Sequence, residues 1–235
     1  MKTRPTPHTH LTPTGNTVAR DTASLACLLA LGAAVSTPPS VHALGVRIPN
    51  LDPTAIARGN AFVATADNPA ALAYNPAGIV QLEGHQIQFG SQFYAPIFAD
   101  YESPTGRKVS NDESLIAVPH LYYTFSPKES PFSFGLGVYA PFGLAMEWPD
   151  DAPFAPYGLE GQLTYITATP VMAWQVHRTL SLAAGPTLNY SHVKLRQSVL
   201  GVPGSDFEFK GDDFAAGWTA GLLWQPHPKW NFRAS

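Results

Sequence analysis

From residue 85 onward the apolar and polar positions alternate with a period of two. In 85–93, Ile87, Phe89 and Phe93 share one face while Gln86, Gln88, Gly90 and Gln92 share the other, the pattern of a strand with an oily and a polar side. The pattern returns in 131–140, where Phe132, Phe134, Leu136 and Val138 alternate with Ser133, Gly135, Gly137 and Tyr139. In 181–190 the pairs are Leu182, Ala184, Pro186, Leu188 and Tyr190 against Ala183, Gly185, Thr187 and Asn189. In 214–224, Phe214, Ala216, Trp218, Ala220, Leu222 and Trp224 alternate with small or polar positions such as Gly217, Thr219 and Gly221. Segments 113–125 and 162–176 hold a rougher version of the same alternation. The spacing predicts six strands and the start of a seventh at Lys229.

The connections between these strands alternate in length. Short turns lie at 126–130, 176–179 and 225–229, and long polar or irregular loops at about 99–112, 147–161 and 197–213. Short turns at one end and long loops at the other are the habit of transmembrane β-barrels. A β-sandwich is the alternative. In a barrel, Tyr94, Tyr123, Phe125, Trp148, Trp174 and Trp224 lie near strand ends and would sit at the membrane interfaces.

Composition narrows the choice. Of 235 residues, 45% are hydrophobic but only 13% are charged, where a soluble globular protein carries about a quarter charged. No apolar run approaches the roughly 20 residues of a spanning helix, so the hydrophobicity is spread over alternate strand positions or belongs to a glycine-rich secreted sandwich. The net charge of -3 gives no basic footprint for nucleic acid.

The region before the strands reads differently. Arg20 precedes the apolar run 25–31, and Val41, His42 and Ala43 form a small-residue cleavage site, so 1–43 reads as an export signal behind a polar lead-in. Cys27 leaves with it, and the mature chain has neither a disulfide nor a thiol nucleophile. Residues 44–84 are rich in small side chains with weak helical spacing, broken at Asn68-Pro69 and Asn75-Pro76. A compact run of short helices and turns is expected there, too polar to span and suited to plugging a barrel formed by 85–235.

At this point the chain resembles the FadL family of outer-membrane transporters of long-chain fatty acids and other hydrophobic compounds. The likeness rests on the order of parts: Arg58-Gly59-Asn60-Ala61, then Ala66-Asp67, then Asn75-Pro76-Ala77-Gly78 just before the first strand. It continues through Ser103-Pro104-Thr105-Gly106-Arg107 in the first long loop and Tyr139-Ala140-Pro141-Phe142-Gly143-Leu144 in the third strand. The resemblance implies an all-β fold: a fourteen-stranded antiparallel barrel closed by a small helical hatch, with an internal pocket and a sideways exit at a kink in the third strand. It implies that Asn75, Pro76 and Ala77 form the hatch gate, and proline supports a stiff uncharged turn because it fixes φ and removes a donor. An ordinary turn closing a helix would also account for them. Pro141, Phe142 and Gly143 match the kink, and proline and glycine do belong at bulges and bends. The end of a strand is the plainer reading. For the pocket, the family's internal basic residues direct attention to Lys194, Arg196 and Gln197. By strand alternation Gln197 faces inward and Arg196 outward, so either the register slips or the ligand is not an anion, which leaves room for the family's aromatic-hydrocarbon branch.

No catalytic constellation or cofactor site stands out. Gly135-Leu136-Gly137-Val138-Tyr139-Ala140 matches a dinucleotide fingerprint in letters only, because Pro141 follows and the period is two. The mature chain has no metal-ligand spacing and no Gly-x-Ser-x-Gly elbow. Asp150-Asp151 and Asp212-Asp213 fall in expected external loops. A lipase-like barrel enzyme would need an inward Ser/His pair, for which Ser191 and His192 are nearest though alternate strand residues face opposite ways. A diffusion porin would need a charged lumen in place of Gly, Ser, Thr and Gln. The expected partners are a hydrophobic small molecule, outer-membrane lipid and lipopolysaccharide, and the barrel-assembly machinery, with no nucleic acid and a monomeric state for the full-length protein.

Seven strands do not close such a barrel, since single-chain bacterial barrels use even numbers, so a truncated product or a non-functional fragment is also expected. The locus read past the codon for Ser235 should continue with about seven more alternating strands, even-numbered barrels being the rule. A stop codon directly after Ser235 would overturn the transporter expectation for this product. N-terminal sequencing of the exported protein should begin at Leu44.

Overall fold

The structure, a computed structural model, describes residues 47–48, 51–95, 98–112, 115–199, 204–227 and 230–235. The export signal assigned to 1–43, with Cys27, lies outside the described residues.

The alternating segments become one antiparallel sheet. In chain order the strands are β1 (Gly84–Tyr94), β2 (Asp100–Glu102), β3 (Lys108–Ser110), β4 (Ile116–Ser126), β5 (Phe132–Tyr139), β6 (Gly143–Glu147), β7 (Glu160–His177), β8 (Leu180–Ser198), β9 (Asp206–His227) and β10 (Trp230–Ala234). The main sheet runs β1-β4-β5-β7-β8-β9-β10 with β6 also paired to β7, and β2 and β3 form a separate hairpin. The period of two gives this sheet an oily outer face, on which Phe89, Phe214 and Trp218 are each about four-fifths exposed.

Three short elements pack on the inner face. Helix α1 (Pro53–Ala57) starts where Asp52 caps it by accepting from the Ala55 N–H, with Pro53 at the first helical position where no donor is needed. Helix α2 (Ala71–Tyr74) is followed directly by a 3-10 helix (Pro76–Gln81). Phe62, Leu72, Ile79 and Leu82 from this region are buried with Tyr122, Val171, Ala173, Ala183 and Leu223 of the sheet. Each of the larger side chains stabilises the packing by about 1.5–3 kcal/mol.

The strand count of the sequence reading holds, with three local differences. The third expected strand, 131–140, is interrupted, and its continuation beyond the break is β6. The expected 99–112 loop contains the β2-β3 hairpin. Most of the expected 197–213 loop is strand, because β8 runs to Ser198 and β9 starts at Asp206. On these strand ends charged residues take the outer face in place of apolar ones: Lys194 pairs across the strands with Glu208 and Arg196 with Asp206, while Lys210 pairs with Glu208 along β9.

Between β7 and β8 the register set by Ala168↔Leu188 and Met172↔Ala184 places Pro170 opposite Pro186, two residues with no N–H to give the ladder. Beside them Gly185 lets the strands close in: a Cβ there would lie 2.0 Å from the Pro170 carbonyl oxygen and 2.9 Å from the Val171 Cα. Neither backbone atom can step aside. Gly185→Ala should therefore destabilise the fold by at least about 3 kcal/mol, the upper range of overpacking costs, read as a lower urea midpoint for loss of the heat-modifiable folded band. Gly211→Ala, whose Cβ would meet only the Phe209 ring at 3.4 Å, should leave that midpoint unchanged.

Candidate functional site

Strands β5 and β6 both pair with β7, but they do so one residue out of step. Tyr139 faces Thr167 and Gly143 faces Thr164, so Ala140, Pro141 and Phe142 stand against only Tyr165 and Ile166. This is a β-bulge, and one extra residue turns every later side chain to the opposite face. Before it Phe132, Phe134 and Leu136 point outward; after it Glu147 is on the outer face, where it meets Arg196.

The bulge opens a gap. The β4-β5 ladder runs from Phe125↔Phe134 to Leu121↔Val138, and beyond it Ile116 to His120 of β4 pair only with β1. Arg47 and Ile48 occupy part of the gap: Arg47 forms an isolated bridge with Phe142, and the Ile48 N–H donates to the Pro141 carbonyl at 2.8 Å. Gly143 makes room for this segment, since a Cβ there would come within 2.9 Å of the Ile48 Cδ1. Phe142 is fixed edge-on to Tyr165 with ring centroids 5.3 Å apart.

A cavity of about 590 Å³ lies in this gap. Its lining includes Val118, His120, Tyr139 and Tyr165 from the inner face and Leu121, Val138, Thr164 and Ile166 from the outer face, so it passes through the wall. A volume of this size falls within the roughly 300–1,000 Å³ of small-molecule sites, and the lining is mostly apolar with a few polar groups, as such sites are.

The residues below the cavity tie it to the inner elements. Tyr122 is fully buried and donates to the Leu51 carbonyl at 3.1 Å; the Leu51 N–H donates to the Tyr74 hydroxyl, also at 3.1 Å. Burial pushes the Tyr74 phenol above the ordinary tyrosine value, so it stays protonated. Asp52, 1% exposed, accepts from the side-chain amides of Gln88 and Asn68 as well as from Ala55. These bonds are what make a buried carboxylate tolerable.

Asn75, Pro76 and Ala77 form a buried turn against β9. The Asn75 carboxamide accepts from the Ala77 N–H at 3.2 Å and donates to the Leu222 carbonyl at 3.1 Å. Gly221 supplies the clearance, because a Cβ would fall 2.5 Å from the Asn75 Oδ1 and 2.9 Å from the Pro76 Cδ. Gly135 does the same for Leu72, 2.4 Å from where its Cβ would be.

Of the residues singled out from sequence, Phe142 and Gly143 line the cavity and Pro141 anchors Ile48 beside it. Lys194, Arg196 and Gln197 are not part of its lining. Lys194 pairs with Glu160 at 2.7 Å and Glu208 at 3.5 Å, and Arg196 binds Glu147, Asp150, Glu160 and Asp206. Their cross-strand partners share the outer face, and no slip in the β8-β9 register brings them inward. Gln197 is exposed and pairs with Phe207. His192 contacts Asp212 on the outer face, turned away from Ser191 by the alternation. Sequence reasoning passed over Arg47, Ile48, Asp52, His120 and Tyr122, and it read Gly135 and Gly221 only as polar-face spacers. The run of inner-face glycines was a usable sign that another backbone approaches closely.

Residues 33–234 match the family described as outer membrane protein transport protein (OMPP1/FadL/TodX). A Neisseria meningitidis serogroup B protein named for the outer membrane is 31% identical over 134 residues, covering 53% of this chain and 28% of its own. The long-chain fatty acid transport protein of Escherichia coli O6:H1 is 25% identical over 190 residues, covering 69% of this chain and 42% of its own. Among solved structures, the Ralstonia pickettii toluene transporter TbuX superposes with a TM-score of 0.61 at 16% identity, over 80% of this chain and 55% of that one. A Pseudomonas aeruginosa FadL homologue gives 0.57 at 16% identity, over 78% and 50% respectively. These likenesses show a shared fold, and the chain spans about half the length of those structures and less than half of the curated relatives.

The turn at residues 75–77 depends on Gly221. Gly221→Ala should unseat it at a cost of about 1–3 kcal/mol, which corresponds to several-fold to about hundredfold more of the opened state. Trypsin cleavage after Arg58 in the folded protein should accelerate accordingly, with Gly211→Ala as the silent comparison.

Proposed function

The chain belongs to the outer membrane protein transport protein family (OMPP1/FadL/TodX), and on that premise we propose that it carries hydrophobic compounds across the outer membrane, releasing them sideways through the gap between β4 and β6. The family consists of outer-membrane proteins of Gram-negative bacteria, and it is a family of transporters. The observation that carries the proposal is the through-wall cavity at the bulge, lined from both faces of the sheet. A broken ladder at membrane depth is tolerated only where it borders a protein-lined cavity, and an apolar ligand that leaves there enters lipid without crossing water.

In this reading residues 44–84 are the hatch, with Asn75, Pro76 and Ala77 as its gate against Gly221, and residues 85–235 belong to the barrel wall. The long-loop end faces outward and the short turns face the periplasm, as in bacterial barrels. A long-chain fatty acid and an aromatic hydrocarbon both suit an apolar passage of this volume. Lipid and lipopolysaccharide surround the wall, the barrel-assembly machinery inserts it, and the full-length protein acts as a monomer.

Deleting Ala140 removes the extra residue of the bulge and lets β5 and β6 run in one register. Uptake of a radiolabelled hydrophobic ligand by cells carrying this variant should fall at least tenfold while the heat-modifiable folded band persists. Unchanged uptake with the gap closed would show that the ligand leaves by another route.

A further inference from the structure

One charged group inside the sheet has no partner among the described residues. Arg233 of β10 stands opposite Leu223 of β9, and Leu223 is buried against the inner elements, so Arg233 is on the same inward face. Its Nε, Nη1 and Nη2 atoms are all buried, and none has a hydrogen-bond partner among the described residues. A guanidinium carries only donors and keeps its charge at any physiological pH. Buried and unpaired, it is among the most costly groups a fold can hold. The carboxylate whose charge acts on it is that of Asp67, in the segment between α1 and α2.

Asp67 is engaged elsewhere. Its carboxylate oxygens accept from Arg58 at 3.0 and 3.2 Å, and Arg58 also donates to the Thr65 hydroxyl at 2.6 Å. Both side chains of this pair are more than a third exposed, where water competes and an ion pair contributes little. The preceding residue, Ala66, has a φ of 40°, in the left-handed region that is costly for a residue with a Cβ. Ala66 is fully buried and lies directly on Gly78, where a Cβ would be 2.5 Å from the Ala66 Cβ. Gly78 in turn follows the turn at Asn75, Pro76 and Ala77. The strained corner, its ion pair and the turn are thus stacked together, held by an exposed clasp whose carboxylate a buried charge also needs.

We propose that Asp67 is a two-position latch of the hatch: on Arg58 the segment is closed, as in the structure, and on Arg233 it is open. The inference rests on the reading of 44–84 as the hatch and of the turn at 75–77 as its gate. Moving to Arg233 exchanges a weak exposed pair for the pairing of a buried charge, and it releases the left-handed backbone at Ala66. The packing of Ala66 on Gly78 opposes the move, together with the bonds from the Gln81 carboxamide to the Thr65 and Ala66 carbonyls. These opposed terms leave two states between which a ligand shifts the balance. Once the corner leaves Gly78, the turn loses its support and the lumen opens toward the short-turn end.

The test uses the full-length protein. Hatch opening is read in detergent as hydrogen exchange of the backbone amides at 62–68, and transport as uptake of a radiolabelled hydrophobic ligand by cells carrying the same variants. The two arginines have opposite expected effects. Arg58→Gln should raise exchange several-fold and leave uptake at or above the unaltered level. Arg233→Gln, which leaves the carboxylate on Arg58, should lower both exchange and uptake several-fold, while Arg233→Lys keeps most of both. Arg233→Met, whose unbranched stem fills similar space, takes its place if the glutamine variant gives no heat-modifiable folded band. Two arginines that merely brace the fold would both loosen the segment when removed, so a rise in exchange in the Arg233 variant overturns the latch. Unchanged exchange and uptake in that variant overturn it as well. Gly221→Ala, which unseats the turn directly, separates the latch from the gate. If it leaves uptake unchanged, the hatch is not the gate and the latch falls with it; if it alters uptake where Arg233→Gln does not, the latch alone falls.

Discussion

Every peptide group of a wall that faces lipid must find its hydrogen bond inside the protein, because the hydrocarbon offers none. Among the described residues, neighbouring strands from β1 to β10 meet the demand with antiparallel ladders, and within the sheet the pairing breaks off between β4 and β6, where the bulge at Ala140, Pro141 and Phe142 carries the strand out of step. Part of the deficit is made up by Arg47 and Ile48, which bond to the bulge as a fragment of extra strand. The break and its filler are thus one unit. A wall could be interrupted here only because a segment preceding the first strand was available to reach it.

That segment is itself held by the wall. Tyr122 bonds to the Leu51 carbonyl and Gln88 to Asp52, and the same Asp52 starts α1. Around it, glycines in the sheet provide hollows where the inner elements sit: Leu72 over Gly135, and the turn at Asn75 and Pro76 over Gly221. The inner elements have too little core to be stable alone, and their larger apolar side chains are buried largely against the sheet. The sheet's inner face in turn has few bulky side chains there because the space is already filled.

Charge is distributed by the same logic. At the long-loop end, beyond the oily band, Lys194, Arg196 and Lys210 meet Glu147, Asp150, Glu160, Asp206 and Glu208, and the pairs extend the ladder where hydrophobic alternation stops. A pattern search for oily and polar faces loses these strand ends, and assigns basic residues among them to a pocket they do not line. The sequence carries the residues but not their partners, which come from β6, β7, β9 and the loop after β6.

The period of two, the alternation of short and long connections and the order of the motifs determined antiparallel strands with one oily face, preceded by a segment of short helices and turns, and pointed to a barrel wall over a sandwich. They do so because strand faces and turn chemistry are local properties of the chain. The Pro141-Phe142-Gly143 break was legible for the same reason. Whether that break ends a strand or opens a gap was not, since the answer depends on where β4 stops pairing and on what reaches in from residues 47–48. Bringing Arg47 to Phe142 and Leu51 to Tyr122 was likewise decided by tertiary structure alone, because each pair is far apart in sequence and meets only once the sheet has formed.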